Sequence, residues 1–292
     1  MAIMYELISA RLSPNNARAL ARASMKLAAM IMVNEVPTAL RRTVMDLSFP
    51  SPVGLAAGFD KHGALYPSLP SLGFGFAEIG SSILLPEQGR SEGIDVIEKF
   101  LARYRHVHPI PLGISISMNR KTPFSAMAED YVACIQRLWK YADYLALNLG
   151  VRAGPDLHLT ENRTTLLSVL ASAKEEQTRI AIEHGVHCPL VIKVDQTRGE
   201  SRSLLDCVKE FSFDGLILGG ELGKGDSWAA LKNLERVVKI VDVPVISVGG
   251  ISTPQDVLDR LSAGAKLVQL YSGLVQSGPL LMLRINAHLA GH

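Results

Sequence analysis

From about Pro52 onward, short apolar runs that give out into Gly, Ser or Asn alternate with longer helix-like stretches. The runs are VGLAAGF (53–59), FAEIGSS (76–82), LGISIS (112–117), YLALNLG (144–150), LVIKV (190–194), GLILGG (215–220), VISVGG (245–250) and LVQLYSG (267–273). Most are continuously apolar rather than alternating, the pattern of parallel strands buried on both faces. Between them SAMAEDYVACIQRLWKYA, TLLSVLASAKEEQTRIAIEHG, RSLLDCVKEF and WAALKNLERVVKIV read as helices. In TPQDVLDRLSAGA, Thr253 can cap, Pro254 fits the first turn and Gly264 fits the exit. Eight βα units without a leftover strand predict an α/β chain folded as a (β/α)8 TIM barrel. A doubly wound open sheet is the alternative, and it is weakened because no GxGxxG follows the first run. The chain has 292 residues, 48% of them hydrophobic, enough for one large core, so its length does not force a second domain.

Residues 1–45 stand outside this rhythm and are read as an N-terminal two-helix extension, with residues 46–292 as the barrel. The break falls at Ser13-Pro14; Leu20, Ala23, Leu27, Met30 and Ile31 share one face, and Arg18, Arg22 and Lys26 lie on another. Six basic residues (Arg11, Arg18, Arg22, Lys26, Arg41, Arg42) face two acidic ones (Glu6, Glu35) over this stretch. Such a pair either lies on a membrane surface or caps the bottom of the barrel. The net charge of +2 and the lack of Lys/Arg-aromatic interleaving argue against a nucleic-acid partner. Cys134, Cys188 and Cys207 have no metal-ligand spacing, and an odd count does not suit a disulfide framework. No apolar run reaches the roughly 18 residues of a spanning helix, and no signal-peptide pattern opens the chain. The expected location is the cytoplasm, with peripheral contact to the inner face of the cell membrane through the first two helices.

In barrels of this kind the chemistry gathers at the C-terminal ends of the strands, and phosphate binds at the loops after the seventh and eighth. Gly249 and Gly250 in VGGIS let backbone N–H groups approach an anion, and Tyr271, Ser272 and Gly273 precede the last helical stretch. Together they predict a phosphorylated ligand. Lys193 occupies the otherwise apolar run LVIKV, where a charge is rarely buried without a partner. It either forms a Schiff base or holds an anionic cofactor, unless it points outward to a carboxylate or helix terminus. Lys61, in GFDKHG, is a second lysine at a strand end.

The stretches SPVGLAAGFDKHG and LGFGFAEIGS resemble class 2 dihydroorotate dehydrogenases, the FMN-dependent, quinone-reducing, membrane-associated type. The similarity runs on through YADYLALNL, LVIKV and VISVGGISTPQDVLDRLSAGAKLVQLYSGLVQSGP, and includes the LSPNNARALARA of the extension. The resemblance implies an FMN site in which the Ala56, Ala57 and Gly58 backbone lies along the flavin, with Lys61 near it. Ser81 stands for the usual threonine and Ser115 for an asparagine touching the flavin. Lys193 matches the lysine beside the ring's polar edge; Gly249, Gly250, Tyr271 and Ser272 match the phosphate cradle.

The orotate side departs from the family. After the fourth run the family has Asn-x-Ser-Ser-Pro-Asn-Thr, whose second serine is the base; here stand Asn148, Leu149, Gly150, Val151, Arg152, Ala153 and Gly154. The Thr-Asn-Thr-Thr after the sixth run becomes Gly219, Gly220, Glu221 and Leu222, and the Asn-Arg-Met-Gly-Phe-Asn-Asn run after the second is missing. Asn148 alone remains of the asparagines that would hold orotate, and it is counted with the flavin-side residues. Each lost partner costs about 1–3 kcal/mol, and the base is lost as well, so dihydroorotate is not the expected substrate. Arg152 cannot act as a base but can clamp a carboxylate or phosphate bidentately. His62, then Glu221, are the expected bases, ahead of Glu87 and Asp195. The expectation is an FMN oxidoreductase, a dehydrogenase or desaturase of a small, anionic molecule, with a quinone as acceptor. Its alternatives are a catalytically silent FMN-binding homologue with a regulatory or scaffolding role, and a flavin-free Schiff-base barrel. No metal is expected.

Overall fold

The computed structural model of the chain describes residues 2–88, 91–104, 108–149, 162–195, 202–219 and 227–291. Each of the eight apolar runs supplies one strand: β3 (Val53–Leu55), β4 (Phe76–Ser82), β5 (Leu112–Ile116), β6 (Tyr144–Asn148), β7 (Leu190–Asp195), β8 (Gly215–Gly219), β9 (Val245–Val248) and β10 (Leu267–Leu270). They pair in parallel in chain order, and β10 pairs with β3, closing a (β/α)8 barrel. The intervening helices are α3 (Ile94–Leu101), α4 (Met127–Leu138), α5 (Arg163–His184), α6 (Arg202–Glu210), α7 (Ser227–Ile240) and α8 (Pro254–Ser262). After β10 come α9 (Ser272–Ser277) and α10 (Leu280–Ala290). Thr253 caps α8 as the sequence indicates, accepting from the Asp256 N–H while Asp256 accepts from the Thr253 N–H, and Pro254 occupies the first turn.

Side-chain size inside the barrel is matched strand by strand. A Cβ at Gly54 would lie 2.5 Å from the Phe76 ring, and one at Gly113 would lie 2.1 Å from the Tyr144 ring. The two glycines therefore make room for two aromatic rings on neighbouring strands, which with Val191, Ile217, Ile246 and Leu267 fill the lower barrel.

The floor below them is a hairpin, β1 (Arg42–Val44) and β2 (Leu47–Phe49), joined through Met45 and Asp46, whose φ values are 54° and 59°. Two positive φ values in succession give the tight turn whose twist suits a hairpin. Phe49 is fully buried and meets Phe76 edge to face at 5.3 Å. This corrects the bottom-cap alternative for the first helices, because the hairpin holds that place. The extension instead forms α1 (Ala2–Ser9) and α2 (Pro14–Ile31), and both pack against α9, which follows the C-terminal end of β10. Ser13 caps α2, with Pro14 in its first turn. Between β3 and β4 stand two short 3-10 turns, Tyr66–Ser68 and Pro70–Leu72, and α2 covers them. Beyond α2, the Asn34 side chain donates to the Leu72 carbonyl at 3.1 Å. Among the described residues, no helix is long and apolar enough to cross a membrane.

Phe49→Ala should cost about 3–5 kcal/mol of stability, read as a lower urea midpoint. An unchanged midpoint would show that the hairpin is not part of the cooperative core.

Candidate active site

The lumen above the aromatic layer is polar. Glu78 of β4 is fully buried, and its carboxylate is met from three other strands. Lys193 of β7 donates to Oε1 at 2.7 Å, Gln269 of β10 to Oε2 at 2.8 Å and Tyr144 of β6 to Oε2 at 3.3 Å. Partners on strands that are not neighbours can converge only inside the barrel, so this is a layer across its interior. Lys193 thus points inward, and its side chain keeps 15% exposure toward the mouth. Burial, then the charge of Glu78, push the Tyr144 phenol well above its ordinary range, so it remains a proton donor.

One layer higher, Asn148 Nδ2 donates to Ser81 Oγ at 2.8 Å, and Ser81 Oγ lies 3.1 Å from Ser115 Oγ. Asn148 pairs in register with Lys193, and its carbonyl accepts from the Tyr131 hydroxyl at 2.9 Å. Gly80 must be glycine, since its φ is 104° and a Cβ would fall 2.5 Å from the Ser115 carbonyl oxygen. The four residues Ser81, Ser115, Asn148 and Lys193, singled out one by one in the sequence, therefore form a single polar wall.

The opposite wall is built from the ends of β3, β9 and β10. The Ala56 N–H donates to the Leu270 carbonyl at 3.0 Å, Ala57 follows half-buried, and the Gly58 N–H donates to the Gly80 carbonyl at 2.8 Å. Gly249 and Gly250 both have positive φ, 108° and 65°, and Gly250 is exposed. A Cβ at Gly273 would lie 2.4 Å from the Ile251 carbonyl oxygen, so this glycine lets the start of α9 pack against the Ile251–Ser252 backbone that follows β9. From behind, Arg260 of α8 donates to the Gly249 carbonyl and to Ser247 Oγ, both at 3.3 Å. Arg260 is 3% exposed, and burial lowers its affinity for its proton. Tyr271 caps the approach: its ring meets Phe59 edge to face at 5.7 Å, and its hydroxyl accepts from Arg18 of α2 at 3.0 Å.

His62 and Lys61 are placed elsewhere on the same rim. They line an open cleft of about 500 Å³ with Pro86, Glu87, Gln88, Ser91 and Glu92. His62 Nε2 is 3.3 Å from Glu92 Oε2, and Glu87 accepts from the Arg120 N–H at 2.9 Å. The Lys193 wall does not line that cleft. Arg152 and Glu221, with Val151 and Ala153, lie outside the described residues, as does the side chain of Asp195. Sequence reasoning missed Glu78 and Arg260. The signal for Glu78 was the one already used for Lys193, a charge inside an apolar run; for Arg260 it was the i+3 spacing from Val257 on a buried helix face.

Tyr144 should contribute nothing to the tyrosinate absorbance of the folded protein between about pH 10 and 11. The unfolded chain ionises there and the folded one does not, so Tyr144 contributes stability that declines as pH rises past about 10. Tyr144→Phe should leave the folded titration amplitude unchanged and lose about 1 kcal/mol at neutral pH; a smaller amplitude would mean that the phenol ionises in place.

A sequence model of the family described as dihydroorotate dehydrogenase matches residues 90–292. The dihydroorotate dehydrogenase (quinone) of Methylobacillus flagellatus is 31% identical, covering 84% of this chain and 86% of the relative. That of Paraburkholderia xenovorans is 33% identical, covering 82% and 83%. The crystal structure of the Eimeria tenella enzyme in complex with ferulenol has the same fold, with a TM-score of 0.81 at 24% identity, covering 95% of this chain and 91% of that one. The eight-stranded barrel and these matches along both its halves lead to one conclusion: the chain belongs to the dihydroorotate dehydrogenase family of oxidoreductases.

Proposed function

We propose that this family member is an FMN-dependent oxidoreductase, a dehydrogenase or desaturase, acting on a small anionic molecule other than dihydroorotate and passing electrons to a quinone. The observation that carries this reading is the contrast between the two sides of one pocket. Support for a retained cofactor side comes from Asn148, Ser81 and Ser115, linked by hydrogen bonds beside Lys193, the register partner of Asn148, and from the positive φ of Gly249 and Gly250, which suits a backbone cradle for an anion. The substrate side has Val151, Ala153 and Glu221 where the family's resemblance calls for a serine, an asparagine and a threonine.

The residues present fit FMN. Backbone N–H groups at the positive-φ glycines suit a phosphate, and a lysine beside amide and hydroxyl donors suits the polar edge of a flavin. When bound there, FMN supplies the two-electron acceptor for substrate oxidation. Lys193 places an ammonium at the mouth, where it favours negative charge developing during reduction. Asn148 and the two serines orient that edge, and Arg260 holds the Gly249 loop in place. Val151 can neither take nor relay a proton, so the substrate proton must pass to another group or be acidic already. His62, which lines the neighbouring cleft of the same rim and would act from there, and Glu221 are the candidates for its removal, and Arg152 is the candidate clamp for a substrate carboxylate or phosphate.

Support for the quinone comes from the extension. Leu7, Ile8, Leu27, Met30 and Ile31 are exposed apolar residues on α1 and α2, and Arg18 of the same helices reaches Tyr271 at the mouth. An apolar face beside the pocket, with Arg22 and Lys26 alongside, suits peripheral contact with the cytoplasmic face of a membrane and access for an apolar acceptor.

Anaerobic dihydroorotate should leave the visible absorbance of the flavin-loaded protein unchanged; rapid bleaching would restore the family's ordinary substrate. A loaded flavin that no small anionic substrate reduces would favour the silent, regulatory or scaffolding reading, for which the loss of the base at Val151 is the supporting observation. Lys193→Ala should weaken FMN binding about tenfold, and unchanged binding and reduction would count against its placement. Arg152→Ala should impair turnover and leave FMN content alone, so loss of flavin would contradict its assignment.

A further inference from the structure

Glu78 has no exposed surface, and among the described residues the three groups that reach its carboxylate are donors: an ammonium, an amide and a phenol. A protonated Glu78 would turn a donor of its own against one of them, so the arrangement fits a carboxylate paired with an ammonium. The charged and titratable groups facing this pair are few among the described side chains. β4 brings Glu78 itself and β6 brings Tyr144, with Asp143 at its start. The register partners of Lys193 on its two neighbouring strands, Asn148 and Ile217, and Gln269 of β10 are all neutral. Among the described side chains, Lys193 therefore has one carboxylate, Glu78, to hold its position and its charge.

We propose that Glu78 is a positioning residue that acts through Lys193: it keeps the ammonium charged and aimed at the mouth, and tempers the positive potential that the pocket presents to its cofactor. For its redox consequence the inference rests on the FMN reading; for the charge of Lys193 it does not. Removing the carboxylate leaves a mostly buried ammonium without its counter-charge, and burial then favours the neutral amine. In the variant, an ammonium that keeps its proton makes the pocket more positive and favours reduced flavin.

The test is Glu78→Gln in the full chain. Acetylation of Lys193 by acetic anhydride at pH 7, followed by peptide mapping without added flavin, should be at least about tenfold faster than in the unaltered protein, the ratio for one unit of change in lysine protonation. Equal rates would overturn the proposal whatever the flavin does. In the FMN-loaded protein, the midpoint potential of the variant should be more positive than that of the unaltered protein at pH 6; an unchanged potential would assign Glu78 a structural role only. Failure of the unaltered protein to bind FMN would sink the proposed function while leaving the acetylation result standing. Should Glu78→Gln not fold, the double variant with Lys193→Met decides. Recovery of folding by the neutral pair supports action through Lys193, and continued failure shows that Glu78 serves packing alone.

Discussion

An apolar barrel can carry a lysine in its wall here because a carboxylate meets it from across the lumen. The Lys193–Glu78 pair, at 2.7 Å, joins strands that share no backbone hydrogen bonds. Much of the pocket follows from that contact. Gln269 and Tyr144 complete the carboxylate, Gly113 clears the space that the Tyr144 ring occupies, and Lys193 is left with one face toward the mouth. Below this layer the barrel is apolar and closed by the Phe49 hairpin; above it one wall carries the linked side chains of Ser81, Ser115 and Asn148.

The two sides of the pocket have different chemical demands. A cofactor's phosphate and ring edge are recognised largely through backbone geometry and a few donors, so glycines at 249, 250 and 273 with one lysine go far toward a site. A small polar substrate is recognised by side chains alone, and each one removed costs binding and orientation. On the proposed reading, departures such as Val151 and Ala153 redirect the reaction while the barrel persists.

The barrel was legible because its signal is local. Each strand falls within an apolar run, and the Thr253 cap of α8 is written in adjacent residues. The chemistry at single positions was legible only when a residue broke its local pattern, as Lys193 does in LVIKV; Glu78 breaks FAEIGSS in the same way and was overlooked because its partners lie far off in the chain. The hairpin of residues 42–49 escaped because its strands are three residues long and its turn uses Met45 and Asp46 instead of glycine. The side on which the extension packs is set by contacts such as Arg18 with Tyr271, 253 positions apart, which no periodicity encodes.

The central claim is that this pocket keeps its cofactor half and has exchanged its substrate half. Calorimetric titration of the cofactor-free full chain with FMN, and of the FMN-loaded protein with orotate, tests it most directly. The account predicts saturable binding of FMN and no detectable binding of orotate. Saturable orotate binding, or no binding of FMN, would contradict it.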